Sequence, residues 1–148
     1  MKIKVAWIGK TKEGAIEALT EEYLKRIGRY GPVERVTVSS EADLLAKFGA
    51  ASKGAGKSTL VLLDSRGKEF SSEQFAKFLG DYQDRNPLPL VFAIGGADGF
   101  SAETRSIAQH LISLGKMTLP HELARVVLLE QLYRAFTILT GHPYHSGH

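Results

Sequence analysis

LGKMTLPHELARVVLLEQLYRAFTILTGHPY, residues 114–144, decides how the rest of the chain is read. From Glu122 to Thr140 apolar residues recur at helical spacing, placing Ala124, Leu128, Leu132, Ala135, Phe136 and Leu139 on one stripe, an ordinary core face. The other side carries Leu123, Val126, Val127, Tyr133 and Ile138 instead of a solvated surface. A helix apolar on both sides is expected to be buried on both, and in a chain this short the second partner is expected to be another subunit. Glu130 and Arg134 sit one turn apart on that second side. Charges there are costly unless paired or used, so a structural ion pair at a dimer seam and a catalytic role both stand open.

Upstream of this helix, strand-like and helix-like segments alternate. Ile3–Ile8 is a short apolar run ending at Gly9. Ile16, Leu19, Tyr23, Leu24 and Ile27 then follow at helical spacing. Val33–Val38 alternates as a strand, and Glu41–Phe48 is a helix behind Ser39-Ser40. Leu60–Leu63 and Leu88–Ile94 are buried strands, separated by a helix that Ser71-Ser72-Glu73-Gln74 opens. Ser101 caps a helix through Ala108, and a short strand covers Leu111–Leu114. This order predicts an α/β sandwich with a mostly parallel sheet, in a single domain over residues 1–148.

Composition narrows the class. The chain has 148 residues, 43% hydrophobic and 24% charged, with a formal net charge of +3 and no cysteine. A disulfide framework and a cysteine-rich zinc site are excluded. The opening MKIKVAWIGK turns polar too soon for a signal peptide, so a cytoplasmic location is expected. The mild basicity is compatible with nucleic acid without requiring it. No metal-ligand spacing is present, since His142, His145 and His148 form only a terminal cluster.

Two glycine-rich stretches invite a phosphate-binding reading. ASKGAGKS, residues 51–58, satisfies a permissive Walker A pattern, but a helix precedes it and a strand follows, the reverse of what that loop needs. It is read as a basic loop whose Lys53 and Lys57 could touch a phosphate backbone. Gly95-Gly96-Ala97-Asp98-Gly99 instead follows a buried strand, where glycine admits close backbone approach, although the dinucleotide fingerprint spacing is not met. Leu63-Asp64 and Leu114–Leu119 are strand ends in the same layer. Three such ends suggest a slot for a flat ring held by backbone groups, such as adenine.

The segments LLDSRGKEFSSEQFA, FAIGGADG, SLGKMTLPHELARVVLLEQLYRAF and PYH, in this order and spacing, resemble the small SPOUT-class methyltransferases of the bacterial large ribosomal subunit. The resemblance runs from Ile3 through His145 and is most specific in the last helix. It implies a SPOUT-type sandwich with a C-terminal trefoil knot, which general chain-threading rules would not suggest. It also implies a homodimer, and methyl transfer from S-adenosylmethionine to N3 of a pseudouridine in large-subunit (23S) rRNA, with no metal. The cofactor is expected to touch Leu63, Gly95 and the run Leu114, Gly115, Lys116, Met117, Thr118 and Leu119. In this chain Tyr144-His145 is followed by Ser146-Gly147-His148, where the family commonly ends with a basic residue.

The nucleophile would be N3, which must lose a proton before it attacks a methyl group in line. Candidates for assisting this are Glu130, Arg134, Tyr144 and His145, with His121 and Arg125 beside the cofactor loop. A histidine is suited to be the base, and an arginine to stabilise the anionic ring or clamp a phosphate. His121 could equally just begin the helix, and Arg125 could merely cap or pair locally. Two other classes compete: a non-catalytic ribosome-binding or assembly factor on the same fold, and a nucleotide-hydrolysing protein using ASKGAGKS.

Overall fold

The computed structural model describes residues 1–49 and 57–145, with only the backbone of His145. Most of ASKGAGKS, including Lys53, lies outside these residues. The chain runs β1 (Ile3–Ile8), α1 (Gly14–Gly28), β2 (Val33–Val38), α2 (Glu41–Phe48), β3 (Thr59–Glu69), α3 (Ser72–Arg85), β4 (Leu90–Ile94), α4 (Ala102–Ile107), β5 (His110–Ser113) and α5 (His121–Thr140), ending in a 3₁₀ turn, Pro143–His145. The predicted elements are all present, with ends shifted by a few residues.

The five strands form one sheet in the order β2-β1-β4-β3-β5, and every neighbouring pair is parallel. Continuous apolar strands are what a sheet covered on both faces requires. Ile3, Val5 and Trp7 of β1, Leu90, Phe92 and Ile94 of β4, and Val61 of β3 meet α1, α3 and α5 on one face. Ala6, Leu60, Leu62, Val91 and Ala93 face the other way, against Leu44 and Phe48 of α2 and Phe100.

Local chemistry sets the helix ends. Ser71 and Gln74 form a capping box at α3: the Ser71 side chain accepts from Gln74 N–H at 3.1 Å, and Gln74 Oε1 accepts from Ser71 N–H at 2.8 Å. Ser40 caps α2 and Ser101 caps α4 in the same manner. At the end of α5, Gly141 N–H donates to Ile138 O and His142 N–H to Thr137 O.

One expectation about α5 needs correcting. Its second apolar side is covered in part by the chain itself, because α1 and α3 flank it. Tyr133 is buried, with its ring 6.3 Å from Tyr23 and 6.2 Å from Tyr30. Leu139 of the supposed core stripe is 41% exposed, although a Cβ on Gly80 of α3 would lie 3.0 Å from its Cδ2. Leu123 remains open at 45% exposure, and Val126 and Val127 are half-buried. Among the described residues no helix is long and apolar enough to cross a membrane.

Candidate active site

A cavity of about 380 Å³ opens at the carboxyl ends of β4 and β5 and at the middle of β3, which lies between them in the sheet. Leu63, Gly95 and every residue of Leu114–Leu119 line it, so the eight residues expected around a cofactor share one space. Side chains that were not singled out also reach it: Ser65 and Arg66 beyond Leu63, Ser113, and Phe100 from the start of α4. His121 and Ala124 of α5 close one wall. A smaller chamber of about 150 Å³ adjoins it, sharing Leu63, Ser113 and Leu114 and continuing to Phe70, Phe75 and Val127.

Each wall follows from a local constraint. β3 does not stop at Leu63 as its apolar run suggests. It pairs with β5 up to Leu63↔Ile112, slips register, and pairs again at Lys68↔Ile112 and Glu69↔Ser113. The looped-out residues Asp64–Arg66 line the cavity. Asp64 Oδ1 accepts from Arg66 N–H at 2.9 Å and folds the excursion. Gly67 makes the return possible, since a Cβ there would sit 2.5 Å from Ile112 N and Leu111 C. The turn after β4 is closed by Gly99 N–H donating to Gly96 O at 3.0 Å, and a Cβ on Gly95 would lie 3.2 Å from the Gly99 carbonyl. Glycine at 95 is therefore demanded first by the turn. After β5, Ser113 Oγ accepts from Gly115 N–H at 3.1 Å and donates to Gly115 O at 3.0 Å, fixing the first step of the loop. From Lys116 onward that loop is exposed, with Met117 at 87%.

Glu130, Arg134 and Tyr144 form a second cluster. Arg134 donates to Glu130 Oε1 from Nη2 at 2.6 Å and from Nε at 3.1 Å. Tyr144 Oη donates to the same oxygen at 3.2 Å, and its ring lies under the Arg134 guanidinium at 5.2 Å and against Tyr133 at 4.8 Å. The Glu130 carboxylate holds the Arg134 pKa above its usual value. Burial, with the Glu130 charge alongside, raises the Tyr144 phenol. Near neutral pH Arg134 is thus a cation and Tyr144 a neutral donor. None of the three lines the cavity within the chain. Six residues separate Ala124 from Glu130, about 9 Å along the helix.

Arg125 is where the sequence misleads most. It is fully buried, and its guanidinium lies 4.8 Å from the centre of the Trp7 ring. Among the described residues no group of three His, Cys, Asp or Glu is gathered as for a metal.

Comparison with known proteins places this geometry. Residues 1–145 match the family described as "Predicted SPOUT methyltransferase". The chain is 56% identical over 148 residues to ribosomal RNA large subunit methyltransferase H of Koribacter versatilis, covering 100% of both proteins. It is 44% identical over 157 residues to the protein of the same name from Geobacter sp. strain M21, covering 98% of this chain and 99% of the relative. Among solved structures, the SpoU methyltransferase AviRb from Streptomyces viridochromogenes, in complex with AdoMet, superposes with a TM-score of 0.54 at 16% identity, over 90% of this chain and 57% of that one. This last likeness is one of fold alone. The full-length identities and the family match agree: the chain belongs to the ribosomal RNA large subunit methyltransferase H family of the SPOUT methyltransferases.

Proposed function

We propose that the chain transfers a methyl group from S-adenosylmethionine to N3 of a pseudouridine in large-subunit ribosomal RNA, acting as a homodimer. The observation that carries this is the meeting of Leu63, Gly95 and Leu114–Leu119 around one cavity on three adjacent strands. The RNA substrate follows the names of relatives aligned over the full length. Trefoil threading of the chain around the site is part of the same proposal.

The residues present fit the methyl donor. The cavity falls within the size range of small-ligand sites, and backbone from two tight glycine turns lies beside apolar side chains, as a flat ring requires. Asp64, Asp98, Arg66 and Lys116 supply charges of both signs for the polar end. When bound, S-adenosylmethionine supplies an electrophilic methyl on a sulfonium.

The chain's own groups must then take the N3 proton and stabilise the anionic ring. Arg134, kept cationic by Glu130, suits the anion. Tyr144, with its raised pKa, is a hydrogen-bond donor and not the base. An imidazole, His121 at the cavity wall or His145 in the tail, would take the proton.

Within one chain the charged cluster stands apart from the cavity, and a two-fold partner would bring it there. Met117, Leu119 and Leu123 form an exposed apolar run from the loop into α5, with Val126 and Val127 beyond. Covering that run with a second copy would seat the partner's tail beside the cavity.

Two measurements test the reading together. Calorimetry should show S-adenosylmethionine and its demethylated product binding to the purified protein. Incubation with large subunits from cells lacking the endogenous enzyme should add one methyl to a single pseudouridine, located by mass mapping. Binding to ribosomes with neither cofactor binding nor methyl transfer would make the chain a non-catalytic assembly factor instead.

A further inference from the structure

The β1–α1 loop, residues 9–13, is not part of the cavity wall, yet the start of α5 grips it at three points and the end of β1 at a fourth. Glu122 Oε1 accepts from the backbone N–H of Lys12 at 3.0 Å and of Glu13 at 3.2 Å. Arg125 donates from Nη1 to Thr11 Oγ1 at 3.0 Å and from Nη2 to Ile8 O at 3.2 Å. Glu122 and Arg125 stand three residues apart, the spacing that puts two side chains on one helix face. Helix α1 makes no side-chain cap of its own at Glu13. Glu122 instead meets the N–H groups of the two residues just before α1, from an element more than a hundred residues away, where a carboxylate is favoured by the helix dipole.

Arg125 is the costlier half of the arrangement. It is fully buried, and among the described residues its Nε has no acceptor and it forms no ion pair within 4 Å. Two neutral oxygens, the Trp7 ring and the nearby Glu122 carboxylate are its compensation, and Arg35 lies over the same ring at 4.9 Å. An apolar side chain would fill such a site with less loss of hydration. What an apolar side chain could not do is take two fixed acceptors, one at the end of β1 and one on the β1–α1 loop, with one planar fork. The directional bonds define where the first turns of α5 lie relative to β1.

That location matters because α5 begins where the cavity loop ends. Leu114–Leu119 runs through Pro120 straight into His121, and His121 and Ala124, interleaved with Glu122 and Arg125, line the cavity. The loop's other end is already tied by Ser113 to Gly115. With both ends fixed, its middle can remain exposed and still hold one path.

We propose that Glu122 and Arg125 are positioning residues for methyl transfer, pinning the start of α5 to the β1–α1 loop so that Leu114–Leu119 is held in its cofactor-binding path. The proposal rests on the cofactor reading given above, and the test separates the two.

Full-length protein carrying Glu122→Ala, Glu122→Gln or Thr11→Val is compared with the parent. The readouts are KM for S-adenosylmethionine, kcat, melting temperature, and backbone amide exchange over residues 114–119 without ligand. Glu122→Ala should raise KM about tenfold, a loss of roughly 1.4 kcal/mol in binding, with a smaller change in kcat and faster exchange in the loop. Glu122→Gln keeps an acceptor oxygen and should rescue both KM and exchange to within about twofold. Thr11→Val leaves α5 untouched, removes one Arg125 acceptor, and should shift KM and exchange in the direction of Glu122→Ala. It keeps the test decisive should Glu122→Ala fail to fold. A lowered melting temperature with parental KM and parental loop exchange would mean that the grip only stabilises the fold, and would overturn the proposal. If the parent itself binds no S-adenosylmethionine, the cofactor reading fails, and loop exchange in the variants still decides the grip.

Discussion

A carboxylate that accepts from a guanidinium and a phenol at one oxygen is confined in orientation, and it confines both donors in return. In the cluster of Glu130, Arg134 and Tyr144 this holds the cation at a set place on α5 and ties the chain's tail to it. Tyr144→Phe removes the hydroxyl and its bond to Glu130 while the ring can keep its contact with Tyr133. We expect the single-turnover methyl-transfer rate to fall about tenfold, in line with the roughly 1.5–3 kcal/mol carried by a hydrogen bond to a charged group. The melting temperature should change little. A parental rate would show that the tail does not serve the reaction. The pairing of Glu130 with Arg134 was legible from their four-residue spacing alone. Arg125 was not. A periodic pattern cannot tell an arginine that reaches water along its alkyl stem from one that is buried, because the deciding partners, Trp7, Ile8 and Thr11, lie more than a hundred residues upstream.

The elements were read well where apolar side chains mark them and poorly where backbone alone does. Leu60–Leu63 announced the first half of β3, but Asp64–Glu69 has no alternation to read. Its return to β5 depends on main-chain pairing and on the absence of a side chain at Gly67. Gly67→Ala should push Cβ into the backbone of β5 and cost at least about 2–3 kcal/mol in chemical denaturation, the upper part of the range for overpacking. Gly96→Ala is the control: its Cβ would meet nothing within 4 Å, and stability should stay within about 0.5 kcal/mol of the parent. Equal stabilities for the two variants would refute the close approach of β3 to β5. For α5 the periodicity correctly demanded burial on two sides but not by what. Residues of α1 and α3 supply part of that cover, and no pattern within α5 distinguishes a neighbouring helix from a neighbouring subunit.

At the scale of the whole molecule, the exposed apolar residues are where the proposed second copy would sit. Leu123 is nearly half exposed, so Leu123→Asp should leave the monomer's core intact. If two copies meet across Met117, Leu119 and Leu123, the new charge should halve the mass seen by sedimentation equilibrium and abolish methyl transfer together. A folded, active variant of parental mass would place the subunit contact elsewhere. The parallel α/β architecture was legible in the alternation of segments, whereas the strand order was not, since alternation says nothing about which strands become neighbours. That order has a bearing on how the protein is made. Among the described residues, β4 lies between β1 and β3 and is the one strand that pairs with both. While the ribosome is still translating α3, the β1–β2 pair and β3 have no common neighbour, and two open parallel edges wait for Leu90–Ile94. The sheet can therefore be completed only after more than half of the chain has been made, and until then those edges stand open to wrong pairing.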